Sequence, residues 1–486
     1  MHRFAWFPPN EAAAELRGVY LIGADGVPVR GEARVERGQI VCESRYQEAV
    51  GLSLLWPIKE QGEFQLETTR LPAREEPYHL HVELARHRLM RISVKQEEWG
   101  LFDYPGMEDI NARIDMARSL FIGALQKLDD PPAAARLADE ALALAMIASD
   151  EMCSFHAAVF LARRKQQGGF SGRVLGVCLP LGANDPRLIQ SAAGSFDFVR
   201  VPLTWREIQP KERGVKYDTL DNVIKQARKA GLGVRAGPLL NFGVQFVPDW
   251  MYIWENDYEA ITDFAREHVR RSVMRYAGKV DAWIVASGLH ADSVFAFSFE
   301  QIMDLTRTAV AVTKQADPRT QVVLDIVQPW GEYYARNQRT VLPLLYAEMA
   351  AQGGVAFDAF GLQLLFGLGA EGYHLRDALQ ISSLLDRLAN LGKPLHITAV
   401  SVPSKPTSGG SWRGSWSEQT QADWLAAFIQ VALSKPFVES VCLNSLADCV
   451  GVGASTGGVV SGDLSPKPAY KRIAAIRSQL GIGRAP

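Results

Sequence analysis

Three textures of apolar and polar positions follow one another along the chain. From Leu16 to about Leu101, short alternating runs are separated by turn residues. GVYLIGADGVPVRGEARVERGQIVC carries two Gly-containing turns between such runs, and LSLLWPI, GEFQLETTRL, YHLHVEL and RLMRISV continue the alternation. A period of two marks half-buried strands, so this part is predicted to be β-rich and sandwich-like. Beyond Gly106 the period lengthens. MEDINARIDMARSLFIGALQKL and PAAARLADEALALAMIASDEMCSFHAAVFLARRK place apolar residues at helical spacing, with Pro131-Pro132 breaking between them. They read as two antiparallel helices whose Ala-rich stripe is packing surface, followed by a linker at Gln166-Gln167-Gly168-Gly169. From about Gly172, eight short apolar runs alternate with amphipathic stretches: RVLGVCL, FDFVRVPL, GVRAGPLL, DAWIVAS, QVVLDIV, FDAFGLQL, PLHITAV and SVCLNSL. Eight strand–helix units in roughly 300 residues are the arithmetic of an α/β fold of the (β/α)8, or TIM, barrel type. The predicted organisation is a β-rich domain over 1–105, a helical connector over 106–169 and a barrel over 170–486.

Composition narrows the function classes. The 486 residues are 47% hydrophobic and 22% charged, as in ordinary globular chains, and the formal net charge is -2. That balance gives no electrostatic case for nucleic acid or an anionic membrane as partner. No apolar run approaches the roughly 20 residues of a membrane span. The start, MHRFAWFPPNEAAAEL, lacks a basic segment followed by an apolar core, so no signal peptide is expected. Five scattered cysteines (Cys42, Cys153, Cys178, Cys442, Cys449) show no metal-ligand spacing and favour a reducing, cytoplasmic setting. His79 and His81 stand at i and i+2, on one face of a predicted strand. Without a third ligand nearby they read as ordinary strand histidines rather than a metal pair. No metal and no cofactor is expected.

The stretch Arg275 to His290, RYAGKVDAWIVASGLH, sets a helix end, a Gly break and a buried strand in succession. It resembles family 10 glycoside hydrolases (xylanases), where R-Y-x-G-K-V leads into W-D-V-V-N-E and the Glu is the general acid/base. The resemblance extends over about 195–476. Trp205 and Pro210 match the family's second unit, and Pro248 and Trp250 its P-x-W. Gln363 matches the sixth strand, PLHITAV the seventh strand's H-I-T-E, and SPKPAYKRI the closing Q-P-K-P-A-Y. Departures fall where the family does chemistry. Ser287 and Gly288 stand for Asn and Glu, and Ala399 stands for the nucleophilic Glu. Val201, Pro202, Leu203 and Thr204 replace a polar sugar-contacting segment, and Gly237, Phe242 and Leu365 replace histidines.

Retaining glycosidases use two carboxyls about 5–5.5 Å apart, one to protonate the leaving oxygen and one to attack. Gly288 and Ala399 supply neither. A rebuilt site would draw on carboxylates at the strand ends, and Glu332 and Asp448 are the candidate pair. Asp325, Glu207 and His290 are further polar groups there, with solvated loop carboxylates or helix caps as the plainer reading. Candidate sugar contacts are Trp205, Asn241, Trp250, Gln328, Trp330, Gln363, Trp412 and Trp416. The last two lie on a Gly- and Ser-rich loop, SVPSKPTSGGSWRGSWSEQTQADW, where they either stack on sugar or latch the loop to the barrel rim or another chain. Ser415 or Ser417 is expected to cap the helix that follows. The resemblance implies carbohydrate as partner, with the N-terminal part carbohydrate-module-like. Three functions stay open: a degenerate barrel that binds carbohydrate, an active hydrolase with relocated carboxylates, and a scaffold with a protein partner or a second copy.

Overall fold

The computed structural model describes residues 1–7, 15–180, 185–449 and 453–482. Its first part holds eight strands: β1 (His2–Ala5), β2 (Tyr20–Ile22), β3 (Pro28–Val29), β4 (Gly31–Glu36), β5 (Gln39–Ser44), β6 (Gly51–Ile58), β7 (Gly62–Glu67) and β8 (Tyr78–His79). They form two sheets. One has the order β4-β5-β1-β8. The other has β7-β6-β2-β3, with a further strand from the barrel at its β7 edge. The sandwich-like expectation is met, except at its end. YHLHVEL and RLMRISV are not two strands but one helix, α1 (Leu80–Glu98). The alternation of His79, His81 and Glu83 with apolar neighbours imitates a strand. The buried face of α1 carries Arg88, Lys95 and Gln96 beside Leu84, Leu89 and Ile92, so a polar contribution to that face blurs the helical period.

That correction separates His79 from His81. His79 ends β8 and its Nε2 donates to Pro131 O at 2.9 Å. His81 lies on α1, with Nδ1 donating to Asp139 at 2.8 Å and Nε2 accepting from the Phe7 N–H at 3.2 Å. Among the described residues no cluster of three or more His, Cys, Asp or Glu side chains could hold a metal.

The two helices expected next are α2 (Glu108–Leu125) and α3 (Pro131–Gln166), the latter opened by its prolines and capped by Asp130, which accepts from the Ala133 N–H. α3 packs against α1 and α2 on one side and against barrel helices on the other. Its most apolar 18 residues have the length and composition of a membrane span, and half of that stretch is buried within the protein.

All eight expected barrel strands are present, and they close into one parallel barrel. In chain order the barrel runs β9 (Leu175–Cys178), α4 (Pro186–Ser195), β10 (Phe198–Pro202), α5 (Trp205–Ile208), α6 (Asp218–Lys229), β11 (Gly233–Gly237) and α7 (Tyr258–Arg275). It continues through β12 (Ala282–Ser287), α8 (Phe299–Ala316), β13 (Gln321–Ile326), α9 (Tyr333–Arg336), α10 (Pro343–Gln352), β14 (Ala359–Leu365) and α11 (Ala378–Ala389). It closes with β15 (Leu395–Ser401), β16 (Ser411–Trp412), α12 (Glu418–Ser434), β17 (Val438–Leu443) and α13 (Pro468–Leu480). β16 is the exception to the barrel pattern. It leaves the loop after β15 to pair antiparallel with β7, so the barrel contributes a strand to the N-terminal sheet. Ser417 caps α12 in a capping box with Thr420.

The seam between sheet and barrel is polar at its centre. Arg376, just before α11, is 1% exposed. Its Nη2 donates to Glu332 at 2.7 Å and to the Tyr20 hydroxyl at 2.8 Å, and its Nη1 lies 3.4 Å from Glu67. Its neighbour Asp377 takes both Nη groups of Arg88 from α1, at 2.9 and 2.5 Å, and also caps α11. Removing one member of a buried ion pair strands the other charge, which costs about 3–5 kcal/mol. Arg376→Met is therefore expected to lower unfolding stability by about that much. Urea denaturation checks it, and a loss below about 1 kcal/mol would show that the seam is held by apolar packing alone.

Candidate active site

The carboxyl end of a barrel is built from residues at the strand ends and the loops after them. The two catalytic positions implied by resemblance sit there without carboxyls. Gly288 follows β12 with φ +70°, and a Cβ built on it would lie 3.2 Å from Val327 Cγ2 and 3.7 Å from Asn241 Nδ2. Ala399 lies within β15, fully buried and in register with Gln363 on β14. The family's lost histidines have physical replacements. A Cβ at Gly237 would come within 2.4 Å of Ile284 O, so this backbone admits no side chain there. Phe242 is buried edge-to-face against Phe295 and Phe297, and Leu203 and Leu365 are also buried. Strand ends that offer polar groups to sugar in the family here carry packing residues.

A buried carboxylate lies at the centre, in a polar cluster. Asp325 on β13 is buried and accepts from Ser287 Oγ at 2.8 Å, from Gln363 Nε2 at 2.5 Å and from Thr398 Oγ1. Burial raises its carboxyl, while the three hydrogen bonds and the charge of Arg200 pull the other way. Gln363 also donates to Ser287 Oγ at 3.2 Å, so its amide nitrogen is spent inside the barrel rather than offered to a ligand. Asp325 is thus an internal strut.

The candidate carboxylates are held in separate ion pairs. Glu332 is 4% exposed and bound to Arg376. Asp448 accepts from Lys467 Nζ at 2.7 Å and from the Gly458 N–H at 3.0 Å. Lys467 belongs to the SPKPAYKRI motif, so that motif holds the loop after the eighth barrel strand. Each carboxylate is closed in its own ion pair. His290 is buried, with Nδ1 2.7 Å from the Tyr333 hydroxyl, and burial pushes it down to about 3. It stays neutral and positions the loop after β13, whose Val327 N–H points to its Nε2 at 3.4 Å.

Most expected sugar platforms are also committed. Trp205 is buried, stacked on His268 with centroids 4.6 Å apart, and donates to Gln209 Oε1 at 3.1 Å. Trp250 donates to Gln209 O at 2.9 Å and packs edge-on against Trp205. Trp416 is 2% exposed and donates to Gly410 O at 2.8 Å, while Trp412 is part of β16 and buried. Of the two readings of that loop, the geometry is that of a latch between barrel and sheet. Trp330 is half-buried between Phe366 and the Arg376 guanidinium.

What stays available surrounds Gly288. Asn241 is half-buried and uses only its Oδ1, which accepts from the Gly243 N–H at 2.8 Å. Gln328, at φ +43° and next to Val327, makes no side-chain hydrogen bond among the described residues. The sequence reading missed Asp292, four residues beyond Gly288. It is exposed at the same mouth, and a Cβ on Gly243 would lie 3.0 Å from its Oδ2 and 3.1 Å from Asn241 Oδ1. Burial raises its carboxyl, as it does that of the exposed Glu207 after β10. The signal was its place just past the expected acid. Asp292 can hold a proton, but Gly288 and Ala399 leave it no nucleophile at the family positions.

The glycosyl hydrolase family 10 pattern matches residues 200–476, more than half of the chain. The chain belongs to glycosyl hydrolase family 10. A protein named endo-1,4-beta-xylanase/feruloyl esterase from Xylanibacter ruminicola is 23% identical over 253 residues, covering 47% of this chain and 33% of that protein. The chain therefore spans about a third of that relative's length. The structure of a GH10 protein from Paenibacillus barcinonensis is 20% identical, covers 64% of this chain and 96% of that one, and superposes with a TM-score of 0.50. Native xylanase 10B from Thermotoga maritima, 17% identical, covers 66% of this chain and 98% of its own, with a TM-score of 0.49. The family shares the barrel, and the N-terminal sheets and α1–α3 precede the matched residues.

Two outcomes test this geometry. Gly288→Ala forces a side chain into the left-handed region, which costs about 1–2 kcal/mol, and a stability unchanged in urea would contradict the backbone described. His268 and His290 are both held down to about 3 in the fold. Between about pH 6.5 and 3 the unfolded chain binds protons that the folded chain does not, so stability falls as pH is lowered through that window. The urea midpoint is expected to drop steadily from pH 7 to pH 5, and a flat profile would contradict their neutrality.

Proposed function

We propose that this family 10 barrel no longer hydrolyses glycosidic bonds and binds carbohydrate at its mouth. The observation that carries the reading is that neither the family positions nor the candidate carboxylates supply a free carboxyl pair among the described residues. The positions after the fourth strand and in the seventh are Gly288 and Ala399, and Glu332 and Asp448 are each closed by a buried cation. A covalent glycosyl intermediate needs a nucleophile, and general acid help alone is worth about 10²–10⁴ in rate. The amides of Asn241 and Gln328, on either side of Gly288 and Val327, are the groups left to recognise sugar hydroxyls. Amides suit that task because each offers both donors and an acceptor.

A second reading, a scaffold, is favoured by one observation. The outer helices α1 and α2 expose Met90, Val94, Met116 and Ile122, apolar side chains with no cover.

The test is release of reducing sugar from xylans, glucans and mannans, run beside calorimetry with the derived oligosaccharides. No release is expected, with binding weakened about tenfold in the Asn241→Ala and Gln328→Ala variants. Turnover by the wild type would overturn the reading. Neither turnover nor binding would leave the scaffold.

A further inference from the structure

A cleft of about 860 Å³ runs along α11, between the barrel and the helical layer of α1 and α3. That volume is in the range of small-molecule sites, roughly 300–1,000 Å³. It lies on the flank of the barrel, and α1 and α3, which form its outer wall, precede the residues matched by the family. Six Lys and Arg side chains line it against four Asp and Glu. One stripe of α1 faces it, with Leu84, His87, Arg88, Arg91 and Lys95 at intervals of three and four.

The charges are not spread evenly. At the lower end, Asp386 pairs with both Lys95 and Lys435 at 2.8 Å, and Glu98 takes Lys95 as well. Arg88 is spent on Asp377. At the upper end, Glu67 is approached by several cations. Arg376 lies 3.4 Å and Arg70 3.6 Å from it, and the charge of Arg91 also bears on it. Arg91 itself makes no hydrogen bond or ion pair among the described residues. His87, one helical turn before it, makes none either. Arg376 is satisfied by Glu332 and Tyr20, and Arg70 donates to Gly23 O and Thr68 O with its Nη2 left only the 3.6 Å contact to Glu67. A half-buried Arg91 guanidinium without a hydrogen bond or ion pair among the described residues, beside that loosely held Arg70, is an arrangement that an incoming anion completes. Arg is suited to this because its planar fork meets phosphate or carboxylate with two parallel hydrogen bonds.

We propose that this cleft binds a small oxyanion ligand, whose phosphate or carboxylate group lies between Arg91, Arg70 and His87 while its body follows α11 past Leu384 toward Phe437. Both sources present a pair of acceptor oxygens that the Arg91 fork can meet with two parallel hydrogen bonds. This site is separate from the mouth and does not depend on carbohydrate binding there.

The experiment titrates the full chain by calorimetry with inorganic pyrophosphate and, separately, with glucuronate, at fixed ionic strength in chloride. Saturable 1:1 binding of at least one is expected, weakened about tenfold or more in Arg91→Ala and less in Arg91→Lys, which keeps the charge but loses the fork. Arg266→Ala, on the exposed face of α7, is expected to bind as the wild type does. Binding of pyrophosphate alone points to a phosphate ester, of glucuronate alone to an acidic sugar, and each supports the site. Saturable binding that survives in both Arg91 variants, or no saturable binding of either anion, overturns it.

Discussion

Two adjacent residues before α11 tie this protein together. Arg376 reaches into Glu332, Tyr20 and Glu67, and Asp377 holds Arg88 of α1. Buried charges are stable only when each is paired and hydrogen-bonded, so these contacts fix the sheet and the helical layer in one position on the barrel. The backbone follows the same line. Gln65 N–H donates to Leu375 O, Leu375 N–H to Gly409 O, and β16 adds to β7. The loops after the fifth, sixth and seventh barrel strands are thereby occupied with holding the N-terminal sheet.

That occupation explains the state of the site. In a barrel enzyme these loops carry the chemistry. Here Glu332, on the fifth, neutralises Arg376, and Trp412 and Trp416, on the seventh, close the latch. The groups still available, the Asn241 amide nitrogen, the Gln328 side chain and the exposed Asp292, lie on the side of the mouth next to Gly288. On the proposed reading, the amides beside Gly288 suit sugar hydroxyls, and Gly288 and Ala399 supply no carboxyl for the family's covalent intermediate.

Much of this was legible in the chain. The eight barrel strands were readable because each is a short apolar run bounded by turns and followed by an amphipathic helix. Flanking motifs such as RYAGKV and PLHIT set the register by which Gly288 and Ala399 align with the family's catalytic positions. α1 was not readable, since Arg88 and Lys95 lie on its buried face and find their partners in α11, far along the chain. The fate of the candidate carboxylates was hidden for the same reason. Arg376 is 44 residues from Glu332 and Lys467 is 19 from Asp448, and no local pattern announces pairs at such separations. Trp412 looked like an exposed ring because the strand it pairs beside, β7, belongs to the other end of the sequence.

The most direct test of the central claim is covalent trapping. A 2-deoxy-2-fluoro xylobioside with a good leaving group labels the nucleophile of a retaining glycosidase, because the fluorine slows breakdown of the glycosyl intermediate more than the activated leaving group slows its formation. Incubated with this protein and read by intact mass, it is expected to leave the mass unchanged at every time. A stoichiometric increase by one fluoroglycosyl unit would contradict the account, and the labelled peptide would name the carboxylate that does the chemistry.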